Sequence, residues 1–232
     1  NPVFDDLTVS SIIRAMDIQA QMGYKYVDLA GLFCTSNWPL NIEGSLTADQ
    51  ITRIHQILDA GHSRGLKVTT FPSGIMNWGF LTIIQNDPAV RGDNYPNWPA
   101  NCNMCPQKSK SWDYMHRIYD FVMDNFDFDG LHFESADQGR CMCSLCMARW
   151  PRDADYHSWV NAQAADYVKS KNPDFYVFIT TWGWTPVGTF FNQADQDALV
   201  TLSNSVNAIF NQGHRGPYVP YEDMPEFIKR LK

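Results

Sequence analysis

Two groups of residues in this sequence could do chemistry. The first lies in the stretch from Asp129 to Cys141, which carries His132, Glu134 and Asp137 within a few positions of one another. Two carboxyl groups in one site can divide the work. Apolar walls and a neighbouring negative charge raise the pKa of one, so it holds a proton near neutral pH, while the other stays ionised. The second group is the cysteines. Five of the six fall in two clusters, Cys102 and Cys105, then Cys141, Cys143 and Cys146. Cys102-Asn-Met-Cys105 and Cys143-Ser-Leu-Cys146 are both C-x-x-C pairs, and each can wrap one edge of a tetrahedral zinc ion. Cys141 is an alternative fourth ligand. Such a site would be structural, since four thiolates leave no open position on the metal. Disulfides, for example Cys102 or Cys105 to Cys141, are the competing reading. Zinc would fit a cytoplasmic location, and disulfides a periplasmic or secreted one. Cys34 stands apart and reads as a buried free thiol.

The elements that must position these residues alternate. Apolar spacing predicts a helix from Thr8 to Met22 and a buried strand from Tyr24 to Ala30. Thr47 is a candidate N-cap for a helix that stops at Gly61 to Gly65, and Leu66–Phe71 is the next strand. Pro72 to Gln107 is a long Asn-, Trp- and Pro-rich stretch, of the length that usually carries function. A helix is expected over Ser109–Asn125, a strand over Asp129–Glu134, a helix over Tyr156–Lys171 and a strand over Phe175–Thr180. The last elements are a helix over Asp195–Ser203, a strand over Val206–Asn211 and a helix start near Tyr221. Strict alternation argues for a parallel sheet. A doubly wound open sheet is the competing arrangement, but no glycine-rich turn of the dinucleotide-binding kind follows a strand. No organic cofactor is expected. Long segments after the strands favour a (β/α) barrel of the TIM type in one domain, 1–232. About five strands are visible. In an eight-fold count the first strand and the last two are missing, and the strand ending at Glu134 is the fourth. The chain begins Asn1-Pro2 rather than with Met, so a removed segment or a fragment is expected, and the missing strands would come from the rest of a longer chain or from another chain.

Alternation along the strand puts His132 and Glu134 on one face and Leu131 and Phe133 on the other. The apolar pair suits the helix layer, so Glu134 would stand at the mouth of the barrel with Asp137 just beyond it. This place suits a general acid, and glycosidic bond cleavage uses two carboxyl groups, for which Glu134 as acid and Asp137, or a residue outside the chain, as nucleophile or base are the candidates. Asp28 also ends a strand, and it and His132 could bind substrate hydroxyls. Trp182 and Trp184 follow a strand and could stack on a sugar ring, as could Trp78 and Trp98 in the long loop. Asn211, ending the last strand, could bind hydroxyls, and Arg215 could grip an acidic sugar. The competing reading is that Glu134 only pairs with Arg140 or caps the next helix.

The formal net charge is −7 and the cations are scattered, which speaks against nucleic-acid binding. No apolar run is long enough to span a bilayer.

Leu46-Thr47 leading into a helix, then Ala60-Gly-His-Ser-Arg-Gly-Leu-Lys-Val, resembles the helix-then-strand unit of barrel glycoside hydrolases, and Cys105-Pro-Gln, the helix to Phe126 and Phe128-Asp-Gly-Leu-His-Phe-Glu resemble the central unit of that superfamily, which includes β-hexosaminidase-like and α-glucuronidase-like barrels. That resemblance implies a carbohydrate substrate, oligosaccharide or polysaccharide, and a carboxylate acid at the end of the fourth strand, here Glu134. The sequence departs from the hexosaminidase pattern of adjacent Asp and Glu, since Ser135 follows Glu134. The competing functions are another barrel enzyme, such as a lyase, an isomerase or a metal-dependent hydrolase, and a non-catalytic carbohydrate-binding barrel.

Overall fold

A computed structural model of the chain describes residues 5–33, 40–77, 79–93, 103–135, 139–184, 190–210, 219 and 222–231. Among these the order is α1 (Asp6–Gln21), β1 (Tyr26–Ala30), α2 (Ala48–Ser63), β2 (Lys67–Phe71), α3 (Leu81–Asn86), α4 (Ser109–Asn125), β3 (Gly130–Phe133), α5 (Ser144–Arg149), α6 (Asp153–Lys171), β4 (Tyr176–Thr180), α7 (Gln193–Leu202), β5 (Ala208–Phe210) and α8 (Met224–Arg230). The strands form one parallel sheet in chain order, β1-β2-β3-β4-β5. This is part of a (β/α) barrel wall, with β1 and β5 as its two open edges among the described residues. None of the described helices is long and apolar enough to cross a membrane.

Local chemistry explains the boundaries. Thr47 caps α2 through a reciprocal capping box with Gln50, which satisfies two otherwise orphaned amides. Gly61 lies where α2 meets β2, and a Cβ there would come within 2.6 Å of Val68 Cγ2. Two short helices break the expectation of uninterrupted loops: α3 lies inside the stretch 72–107, and α5 follows the second cysteine cluster. Each has only six residues, too few for an apolar period to show.

Burial alternates along the strands. Leu131 and Phe133 of β3 are fully buried against the helices, whereas His132 faces the inner side. The inner face also carries Tyr26, Asp28, Thr69, Tyr176, Phe178 and Phe210 around an open cavity of ≈ 270 Å³. Tyr26 is 47% exposed and Phe210 is 50% exposed. Large aromatics this open on an inner wall mark surface that a closed barrel would cover.

Asp129 ties the start of β3 to β2. Its carboxylate accepts from Val68 N at 2.8 Å, Lys67 Nζ at 2.7 Å and His62 Nε2 at 2.9 Å. Burial alone would raise its pKa, but these partners together hold it below the ordinary carboxylate value. Gly130, the next residue, has no room for a side chain, because a Cβ would lie 2.0 Å from the carbonyl oxygen of Tyr176. Gly130→Ala must push β3 and β4 apart, and a loss of about 3 kcal/mol is expected from such overpacking. Urea denaturation measures it, and a loss below about 1 kcal/mol would show that the strands can yield.

Candidate active site and thiol cluster

Glu134 follows the last residue of β3 and is half-buried. Its backbone is held by the segment after β2: Ile75 N donates to the carbonyl of Glu134 at 2.6 Å. Asn77 Nδ2 donates to the carbonyls of Ser135 at 2.5 Å and Gly139 at 2.8 Å. Between these two donors stands Met76 with φ 68°, in the left-handed region that a side chain of this kind rarely adopts. That conformation lets successive residues face different partners, and the carbonyl of Met76 accepts from Met104 N at 2.7 Å.

Ser135 is fully buried, with its hydroxyl hydrogen-bonded to His157 Nδ1 at 3.0 Å and accepting from Asn161 Nδ2 at 2.8 Å. His157 and Asn161 lie one turn apart on α6, and neither stood out in the sequence. The available signal was a polar pair at i, i+4 in a helix whose other residues are mostly apolar at those positions. Burial, reinforced by the charge of Arg140, pushes the His157 pKa down to about 3. The ring therefore stays neutral. Between about pH 6.5 and that value the unfolded chain binds a proton that the folded chain refuses, so stability falls as the pH drops. The slope should approach about 1.4 kcal/mol per pH unit in this window, and His157→Gln should flatten it in denaturation curves taken across that range. An unchanged slope in the variant would assign the acid lability to other groups.

Arg140 is also buried. It donates to Asp153 Oδ1 at 2.6 Å and to the carbonyls of Trp150 at 2.6 Å and Pro151 at 3.2 Å. It thereby anchors the return of the chain after β3. The cap of the next helix is not Glu134 but Cys143, whose sulfur accepts from Cys146 N.

Deeper on the inner face, His132 Nδ1 pairs with Asp28 Oδ2 at 2.9 Å, and Thr69 Oγ1 donates to Asp28 Oδ1 at 2.9 Å. The imidazole stacks on Phe178 with centroids 4.5 Å apart, and its Nε2 is buried without a partner. Asp28 and His132, read separately from the sequence, are thus brought together. Trp182 is half-buried after β4. Trp184 corrects the expectation of a stacking platform: it is fully buried against His157, with centroids 5.7 Å apart, so its ring belongs to the wall. Asp137, Trp78, Trp98, Asn211, Arg215, Cys34 and Cys102 lie outside the described residues.

The described cysteines are free thiols. Cys105, Cys141, Cys143 and Cys146 gather with their sulfur atoms all within 4.8 Å of one another. Cys105 Sγ is 3.8 Å from that of Cys143 and 3.7 Å from that of Cys146. Sulfurs at the corners of a zinc tetrahedron stand about 3.8 Å apart, given Zn–S bonds of about 2.3 Å. Cys141, the alternative ligand, therefore completes the set among the described residues. The segment 90–93 holds the two halves together: Cys105 N donates to Val90 O at 2.8 Å, and Met142 N donates to Asp93 O at 3.2 Å. Gly92 must be glycine here, because a Cβ would lie 2.7 Å from Cys141 Sγ. Hydrogen bonds with Cys141 and Cys146 lower the pKa of Cys105 to about 4, while hydrogen bonds with Cys105 and Cys141 drive that of Cys146 up.

No protein-family pattern matches the sequence, and no curated protein matches it. Solved structures do. The α-amylase of Geobacillus thermoleovorans, complexed with acarbose, superposes with a TM-score of 0.59 at 11% identity over 87% of this chain and 44% of that one. The O-GlcNAc hydrolase of Thermobaculum terrenum gives 0.60 at 9% identity over 96% and 42%. The cold-adapted β-galactosidase of Rahnella sp. R3 gives 0.56 at 13% identity over 90% and 37%. This chain spans less than half the length of each of those three. At such identities the likeness shows the fold: five parallel strands of an incomplete TIM-type barrel of the kind found in glycoside hydrolases.

Proposed function

We propose that the chain carries the acid half of a glycoside hydrolase active site, with Glu134 as the proton donor to the departing glycosidic oxygen. The observation that carries this reading is a half-buried glutamate at the C-terminal end of a parallel barrel strand, held in place by a buried network. That end of the barrel is where active sites of this fold are built. The barrel fold of solved amylases, hexosaminidases and galactosidases supports it. Asp137, or a carboxylate on the remaining strands, serves as nucleophile or base. His132, oriented by Asp28 on the inner face, is the proposed partner of a sugar hydroxyl. Trp182, Trp78, Asn211 and Arg215 are the proposed contacts to the rest of an oligosaccharide or polysaccharide.

The remaining strands come from the rest of a longer polypeptide or from another chain, and they cover the inner face around Tyr26 and Phe210. A structural zinc ion fits Cys105, Cys141, Cys143 and Cys146. It would fasten the segment after β2 to the segment after β3, with no part in the reaction.

The test is turnover of a panel of aryl glycosides by the completed barrel, wild type beside Glu134→Gln. Hydrolysis that depends on Glu134 supports the reading, and unchanged turnover by a folded Glu134→Gln protein removes Glu134 from the mechanism.

A further inference from the structure

We propose that Asn77, Ser135, His157 and Asn161 are positioning residues that fix the direction of the Glu134 carboxyl from two sides. The proposal rests on the reading of Glu134 as the proton donor and concerns how its aim is set.

Strand pairing alone cannot set that aim. The last registered pair of β3 with β4 is Phe133 with Ile179, so Glu134 stands beyond the ladder. Its backbone is held by other means. On the β2 side, Ile75 N and the Asn77 amide grip the carbonyls of residues 134, 135 and 139. Asn77 thus bridges the carbonyls of Ser135 and Gly139. On the α6 side, His157 and Asn161 hold the Ser135 hydroxyl. Asn161 Nδ2 also donates to the carbonyl of His157 at 2.7 Å, which fixes the amide that contacts Ser135.

All four side chains are at most 1% exposed. The network also leaves Asn161 Oδ1 buried without a partner, a cost in stability that an apolar wall would not carry. The network is also neutral. His157 is kept uncharged by its burial, so the clamp fixes geometry without adding a charge beside the carboxyl. Misplacement of a reacting group by about 1 Å can cost about 10²-fold in rate, which is the scale on which such a clamp acts.

The test is Ser135→Ala in the completed barrel, assayed on two aryl glycosides of one sugar, a phenyl glycoside and a 2,4-dinitrophenyl glycoside. Phenolate needs a proton as it leaves, and dinitrophenolate does not. A misaimed acid should lower kcat on the phenyl substrate by about 10- to 100-fold, with KM within about twofold and little change on the dinitrophenyl substrate. Simple loss of folded protein lowers both equally. Where Ser135→Ala does not fold, Asn161→Ala, one bond further from Glu134, should give a smaller loss of the same selective kind. Equal losses on both substrates, or none in the folded variants, would overturn the proposal. Glu134→Gln is measured alongside. If it shows the leaving-group dependence and the two network variants do not, the clamp alone is wrong. If Glu134→Gln itself shows none, the acid assignment falls and the clamp falls with it.

Discussion

Glu134→Gln is expected to lower kcat/KM for phenyl glycosides by about 10²- to 10⁴-fold, the range that a positioned general acid supplies. The amide keeps the size and hydrogen-bonding reach of the side chain but has no proton of suitable acidity to give. Hence the loss should appear in kcat, with KM nearly unchanged. It should shrink as the leaving group improves, because a phenolate that departs without help does not need the acid. A folded variant that retains full activity on the poorest leaving group would exclude Glu134 from proton donation.

Removing a metal from the thiol cluster is the other change expected to have a large effect. Structural zinc sites contribute on the order of 10 kcal/mol or more in small domains. Here a core of packed strands and helices supports the rest of the chain, so the loss should be smaller and local. Cys146→Ala should abolish stoichiometric zinc in metal analysis. It should also lower the melting temperature by about 8–16 °C, as expected for a loss of about 4 kcal/mol in a chain of this size. Hydrogen exchange should rise first in residues 103–105 and 139–146. Protein that holds no zinc and whose melting is unmoved by a chelator would overturn the metal reading.

Both predictions concern residues that could be found in the sequence, though not equally well. The helix α4, Ser109–Asn125, matches its expected range, because its apolar residues repeat at helical spacing over more than four turns. Glu134 could be assigned to a strand end because a β-rich run stops there at polar residues. The partners that hold it could not be read. His157 is 22 positions from Ser135, and Asn77 is 58 positions away, so only the fold brings them together. The cysteines were more legible. Two C-x-x-C pairs pointed to Cys102 with Cys105 and Cys143 with Cys146, with Cys141 as the alternative ligand. Cys141 stands with Cys105, Cys143 and Cys146 in the cluster, while Cys102 lies outside the described residues. Trp184 shared its aromatic character and loop position with Trp182, and only burial separates the wall residue from the more accessible one.

The chain-ordered sheet has a consequence for biosynthesis. Because, among the described residues, each strand pairs only with its neighbours in chain order, every βα unit can dock as soon as it is made, without waiting for a distant segment. The thiol cluster is the exception. Cys105 leaves the ribosome well before Cys141, Cys143 and Cys146, and for that interval it is an unpartnered nucleophilic sulfur on a nascent chain. The first half of the barrel can thus form its strands promptly, while the fastening of its two site-bearing loops is delayed until the turn after β3 has been synthesised.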